Sequence, residues 1–68
     1  MKHVSGKRLA QVAEGKGWLL VSQEGSHAKY RDPLTGQRII IPIHGNHDLK
    51  AGLQHRLMRV LEITDADL

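Results

Sequence analysis

The sequence contains no cysteine and no phenylalanine, and Trp18 and Tyr30 are its only tryptophan and tyrosine. Without cysteine the chain can form neither a disulfide nor a thiolate metal site, so its fold must depend on packing or on a partner. With so few aromatic rings it also lacks a row of side chains on which single-stranded bases could stack. Any nucleic acid would therefore have to be bound through other contacts.

Long apolar runs are also missing. No segment approaches the roughly 20 consecutive apolar residues of a membrane span, and Met1–Ser5 lacks the apolar core of a secretory signal. We therefore expect a cytoplasmic protein with no membrane partner. The 68 residues have room for one domain, residues 1–68, because so short a chain buries too little apolar surface for two cores.

Positive charge is in modest excess over negative charge. Ten Lys or Arg against seven Asp or Glu give a formal charge of +3, and the basic residues are spread along the chain. This balance favours a polyanionic partner such as nucleic acid, although many small proteins without such a partner have similar charge.

Local patterns predict a helix and three strands in the first two thirds of the chain. Ser5 has the character of an N-cap, which predicts a helix over 6–15. Three short segments with β-branched residues or strict alternation predict strands over 18–23, 26–31 and 37–43. Asp32–Gly36 has the composition of the tight turn between the last two strands.

A second helix is predicted over 49–61, where apolar residues recur at helical spacing, with Asp48 as its N-cap. Gly52 inside it costs about 1 kcal/mol relative to Ala, which suggests that another element approaches closely there. The acidic tail 62–68 is expected either to form one further turn capped by Thr64 or to fray.

This order of elements predicts an α+β fold, α-β-β-β-α, with a three-stranded antiparallel sheet and both helices on one face. We expect Tyr30 to pair with Ile39 across the second and third strands. That register leaves the other face of the sheet open, and it carries six residues of those strands: His27, Lys29, Arg31, Arg38, Ile40 and Pro42.

His27 is the residue of this face with the most useful chemistry. Histidine serves as a general base or acid because its unperturbed pKa of about 6.5 is near working pH. Lys29 and Arg31 are expected to lower the pKa of His27 and to neutralise charge on a reacting phosphate. Ser26 faces the opposite way, so Ser26 and Gly25 are expected to shape the site rather than react.

Other residues could complete an RNA site. Arg38 and Lys50, the latter in the predicted first turn of the second helix, could hold phosphates together with Lys29 and Arg31. His44, or else Lys29, is a candidate second proton-transfer group. A zinc ion held by His44, His47 and His27 is the alternative, but both loop histidines lack a paired ligand motif, so we expect no metal and no cofactor.

Three segments match the pattern of a known family: Val4–Lys7, Gly25–Arg31 and Ile41–Leu53. In this order and spacing they resemble the HicA toxin family, also called YcfA-like. The resemblance implies an RNA-cleaving toxin with a fold like a double-stranded-RNA-binding domain. It also implies that the histidine matching His27 is needed for cleavage. One departure is Leu53, where the family more often has Thr.

Two functions therefore remain open. The first is an endoribonuclease toxin, or mRNA interferase, of a stress-response toxin-antitoxin system. It would cleave mRNA without a metal, be monomeric alone, and form a hetero-oligomer with a HicB-like antitoxin. The second is a non-catalytic RNA-binding module, which the same basic face would serve.

Overall fold

The computed structural model describes residues 1–68 and contains two α-helices, three strands and a terminal 3-10 turn. The elements are α1 (Gly6–Gly15), β1 (Leu19–Glu24), β2 (His27–Arg31), β3 (Arg38–Pro42), α2 (Ala51–Leu61) and the 3-10 turn Asp65–Asp67. The strands form one antiparallel sheet in the order β1-β2-β3. The predicted α-β-β-β-α order and α+β class are thus confirmed. No helix has the length and apolar character needed to cross a membrane.

Helix α1 has the predicted bounds, and its N-cap is Ser5. The Ser5 hydroxyl accepts a hydrogen bond from the Arg8 backbone amide at 3.1 Å, which satisfies one of the amides left free at a helix start. Leu9, Ala10 and Ala13 are buried and direct this helix against the sheet.

The β2–β3 register agrees with the prediction. Tyr30 pairs with Ile39 and Ala28 pairs with Ile41, and all four side chains are buried. They belong to the same core cluster as the buried residues of α1 and α2, so both helices cover this face of the sheet. The alternate residues of β2 and β3 face away from the core, as expected from the two-residue period of a strand.

The start of the second helix differs from the prediction, whereas Ile40 of β3 lies on the open face as the predicted register requires and is 50% exposed. Helix α2 begins at Ala51 rather than at residue 49, with Lys50 as its N-cap residue and no capping bond from a side chain. Asp48 instead forms an isolated antiparallel bridge with Ser5.

The close approach expected at Gly52 occurs at Gly6 instead. No atom lies within 4 Å of the position that a Cβ of Gly52 would occupy. A Cβ on Gly6 would fall 1.8 Å from the carbonyl oxygen of Pro42, so the first residue of α1 packs directly on the end of β3. A side chain of any size would separate the two elements.

Gln54 connects the N-terminal segment to α2. Its side chain is fully buried, with Oε1 accepting from the Val4 amide at 3.1 Å and Nε2 donating to the Lys2 carbonyl at 2.6 Å. A buried polar group is stable only when it is paired, and here both ends of the amide are satisfied. The extended residues before α1 are therefore held against the second helix.

Tyr30 carries the clearest pH-dependent contribution to stability. The Tyr30 hydroxyl donates a hydrogen bond to Glu14 Oε2 at 2.5 Å. Burial is the largest cause that raises the pKa of Tyr30 from its usual 10.0 to about 12, and this hydrogen bond and the negative charge of Glu14 contribute to the rise. The unfolded chain therefore loses this proton at lower pH than the folded chain does, and stability falls as pH rises from 10 through 12. We expect the difference in unfolding free energy between the wild type and Tyr30→Phe to fall by roughly 2 kcal/mol across this range.

Urea unfolding of both proteins from pH 9 to pH 12 measures this difference. Glu14→Gln is the matched control, because it keeps a hydrogen-bonding group and removes the charge, so tyrosinate should then form at lower pH. A difference between wild type and Tyr30→Phe that stays constant with pH would contradict the assignment.

Candidate active site

Three histidines and a lysine share one cleft at the end of the sheet. His27 of β2 and His44, His47 and Lys50 of the segment between β3 and α2 line a cleft of about 350 Å³. Its remaining lining residues are Pro42, Asp48, Leu49 and Leu53. The sequence pattern placed His44 near His27 but treated His47 only as a metal ligand or a loop residue, so the structure adds His47 to the site.

The turn that carries the two loop histidines is fixed at both ends. The His47 amide donates to the His44 carbonyl at 3.0 Å, and Gly45 between them has a φ of +57°, which favours glycine. The Leu49 amide donates to the Val4 carbonyl at 2.9 Å, next to the bridge formed by Asp48. The N-terminal segment therefore positions this wall of the cleft, which no local motif around the histidines could have indicated.

His27 is the first residue of β2 and follows a tight turn. Gly25 has a φ of +57°, as the first position of a two-residue hairpin turn of the II′ type requires. The side chain of His27 is exposed, and its cross-strand neighbours are Pro42 on one side and Glu24 on the other. Ser26 is the second residue of that turn and precedes β2, which begins one residue later than predicted, and its carbonyl accepts from the Ile43 amide at 2.6 Å. Gly25 and Ser26 thus hold His27 at the cleft through backbone geometry.

The expected row of cations beside His27 also contains a carboxylate. Glu24 lies opposite His27 and forms an ion pair with Lys29, whose Nζ lies 3.5 Å from Glu24 Oε1. The charge of Lys29 is thereby partly compensated at the surface. The sequence pattern missed Glu24 because the first strand was predicted to end at residue 23, whereas Glu24 is the last residue of β1.

Arg31 and Arg38 lie directly opposite each other on the open face, and neither has an ion-pair partner. Like charges in facing positions destabilise a sheet unless an anion lies between or above them. Lys50 also has no ion pair, and it lies at the start of α2 beside the cleft. These three cations are the free positive charges that the site offers to a ligand.

The histidines of the cleft do not form a metal site in this arrangement. No group of three or more His, Cys, Asp or Glu side chains has a geometry that could hold a metal ion. The zinc alternative, which needed His27, His44 and His47 together, therefore lacks structural support.

The fold and the cleft define a class of small α-β-β-β-α proteins with an imidazole cleft and unpaired cations on an open sheet face. Within that class, the chain belongs to the HicA toxin family of bacterial toxin-antitoxin systems, whose family model matches residues 6–63. The resemblance seen in the sequence is thus confirmed, and membership implies an antitoxin partner. Neither the curated proteins nor the solved structures contain a match to this chain.

Proposed function

We propose that this protein is the toxin of a toxin-antitoxin pair and acts as an endoribonuclease on mRNA. The observation that supports this most directly is the cleft in which His27, His44, His47 and Lys50 come together. RNA cleavage requires two proton-transfer groups on opposite sides of one phosphate, and a cleft lined by more than one imidazole offers candidates for both roles.

In the proposed reaction the RNA provides its own nucleophile. An imidazole removes the proton of the 2′-hydroxyl, the 2′-oxygen attacks the adjacent phosphorus, and the bond from phosphorus to the 5′-oxygen breaks. A second group donates a proton to that 5′-oxygen, leaving a 2′,3′-cyclic phosphate and a free 5′-hydroxyl. His27 takes one of these roles, and His44 or His47 takes the other.

The free cations bind the RNA backbone in this proposal. Arg31 and Arg38 hold phosphates on the open face, and Lys29 shares that role with its partner Glu24. Lys50 beside the cleft stabilises the charge that develops on the phosphorane. A basic face with fixed spacing positions the RNA strand through its phosphates.

A HicB-like antitoxin is the proposed protein partner. The family implies an antitoxin, and the exposed His27 gives such a partner direct access to the proposed reacting group. We propose that the toxin is monomeric alone and forms a hetero-oligomer with the antitoxin.

Cleavage of an unstructured RNA in buffer containing a chelator tests the reaction. We expect cleavage at an undiminished rate, products ending in a 2′,3′-cyclic phosphate, and no cleavage of the same RNA with 2′-O-methyl groups. Binding of both RNAs without cleavage of either would favour the non-catalytic module. Loss of activity in chelator would instead indicate a metal-dependent reaction.

A further inference from the structure

The outer edge of β3 is an unused hydrogen-bonding edge. The Asp32 amide donates to the Gln37 carbonyl at 2.8 Å and the Ile43 amide donates to the Ser26 carbonyl at 2.6 Å, so these pairs bracket the β2–β3 ladder. Because hydrogen-bonded pairs alternate with non-bonded pairs, the backbone groups of Arg38 and Ile40 point away from β2.

The free edge of β3 is covered at one end, and the pairing of β3 with β2 contains no bulge. The carbonyl of Pro42 is covered by Gly6 at the start of α1. The pairing of β3 has no irregularity, whereas β1, the other edge strand, has a bulge between Leu20 and Ser22. Bulges protect edges from pairing with other chains, so β3 is the edge on which a further strand fits.

Beside this edge lies a cleft of about 410 Å³ between β3 and α2. Its lining is mostly apolar and comprises Arg38, Ile39, Ile40, Arg56, Leu57 and Val60. Arg59 lines the adjoining cleft, and none of the three arginines forms an ion pair. Glu62 also lines that adjoining cleft without pairing to them. An apolar floor flanked by unpaired guanidinium groups complements a chain that carries both aliphatic and acidic side chains.

We infer that this groove binds an extended acidic segment of a protein partner, which adds to the sheet as a fourth strand along β3. Main-chain bonds to Arg38 and Ile40 would supply affinity, and the arginines would select for carboxylates. The free edge of β3 presents hydrogen-bond donors and acceptors in alternation, and a peptide backbone has the complementary pattern. An RNA backbone does not match it, because its phosphates carry only acceptors. Trp18 and Tyr30 are both buried, so no ring is available there to stack a base. The inference does not depend on ribonuclease activity.

The test uses the full-length protein, labelled for amide NMR, and the blocked hexapeptide Val-Glu-Val-Glu-Val-Glu as the probe. We expect binding to protect the amides of Arg38 and Ile40 from exchange. Arg56→Glu should weaken binding by at least about tenfold. Arg8→Glu, the same charge reversal on the exposed surface of α1, should change it by less than about twofold.

Two peptides N-methylated at alternate amides separate strand addition from simple charge attraction. One of the pair should lose binding and the other keep it, since only one set of amides faces β3. Equal binding of both N-methylated peptides would overturn the inference, as would protection of amides on β1 instead of β3.

Two other occupants of the groove would also overturn the inference. The first is a 2′-O-methyl oligoribonucleotide that protects the same amides and depends more strongly on Arg56 than the peptide does. The second is a concentration-dependent dimer, detected by sedimentation, that protects these amides without peptide.

Discussion

His27→Ala should abolish RNA cleavage while leaving the fold and most of the RNA affinity intact. Its side chain is exposed and lines the cleft, so its removal leaves no cavity in the core. Loss of a positioned proton-transfer group lowers the rate by about 10²- to 10⁴-fold. The cations on the open face remain, so binding of a 2′-O-methyl RNA should change by less than about threefold.

His55→Ala is the matched control for this prediction. His55 is an exposed histidine on α2 that lies outside the cleft. His55→Ala therefore removes the same imidazole group as His27→Ala but leaves the cleft unchanged. Single-turnover cleavage rates, affinity for the uncleavable RNA and thermal unfolding should be measured for both variants. Equal cleavage by His27→Ala and His55→Ala would eliminate His27 as a reacting group.

The same assay distinguishes the two candidates for the second proton-transfer group. His44 and His47 both line the cleft, and a turn with a single hydrogen bond connects them. The variant that removes the second group should lose one limb of the pH–rate profile, because that limb reports its ionisation. A residue that merely shapes the wall would lower the rate without changing the profile.

Local patterns were sufficient to predict the type and order of the helices and strands, because each one carried its own signal. Ser5 marked the start of α1, and the alternation of β2 fixed which side of the sheet His27 would occupy. The register followed from burial, because pairing Tyr30 with Ile39 was the arrangement that put the small and apolar residues on one face.

The cleft could not be predicted in the same way, because contacts between distant segments build it. The wall carrying His47 depends on Val4, Ser5 and the buried amide of Gln54, which is 50 residues from Val4 in sequence. Glu24 was missed because the first strand was predicted to end one residue too early, at residue 23. The start of α2 was misplaced because Asp48 has the character of an N-cap but pairs with Ser5 instead.

Gly6→Ala should destabilise the protein by about 2–3 kcal/mol, because the new methyl group meets the backbone of β3 rather than a flexible side chain. The Cβ position lies 1.8 Å from the Pro42 carbonyl oxygen and 2.9 Å from the Pro42 carbonyl carbon. One of the two elements must therefore move, and Pro42 is the cross-strand neighbour of His27. We expect a lower urea midpoint in unfolding experiments and a slower cleavage rate in the fraction that remains folded.

Gly52→Ala is the opposite case within the same chain. Gly52 also lies near the start of a helix, but its Cβ position is open, so alanine should stabilise the protein by about 0.5–1 kcal/mol through helix propensity alone. The two substitutions add the same methyl group and the same propensity, and they differ only in what the methyl group contacts. If both variants were stabilised, α1 would not pack on the Pro42 carbonyl. In that case the hydrogen bond between Val4 and Gln54, and not the contact at Gly6, would hold the N-terminal segment in position beside the cleft.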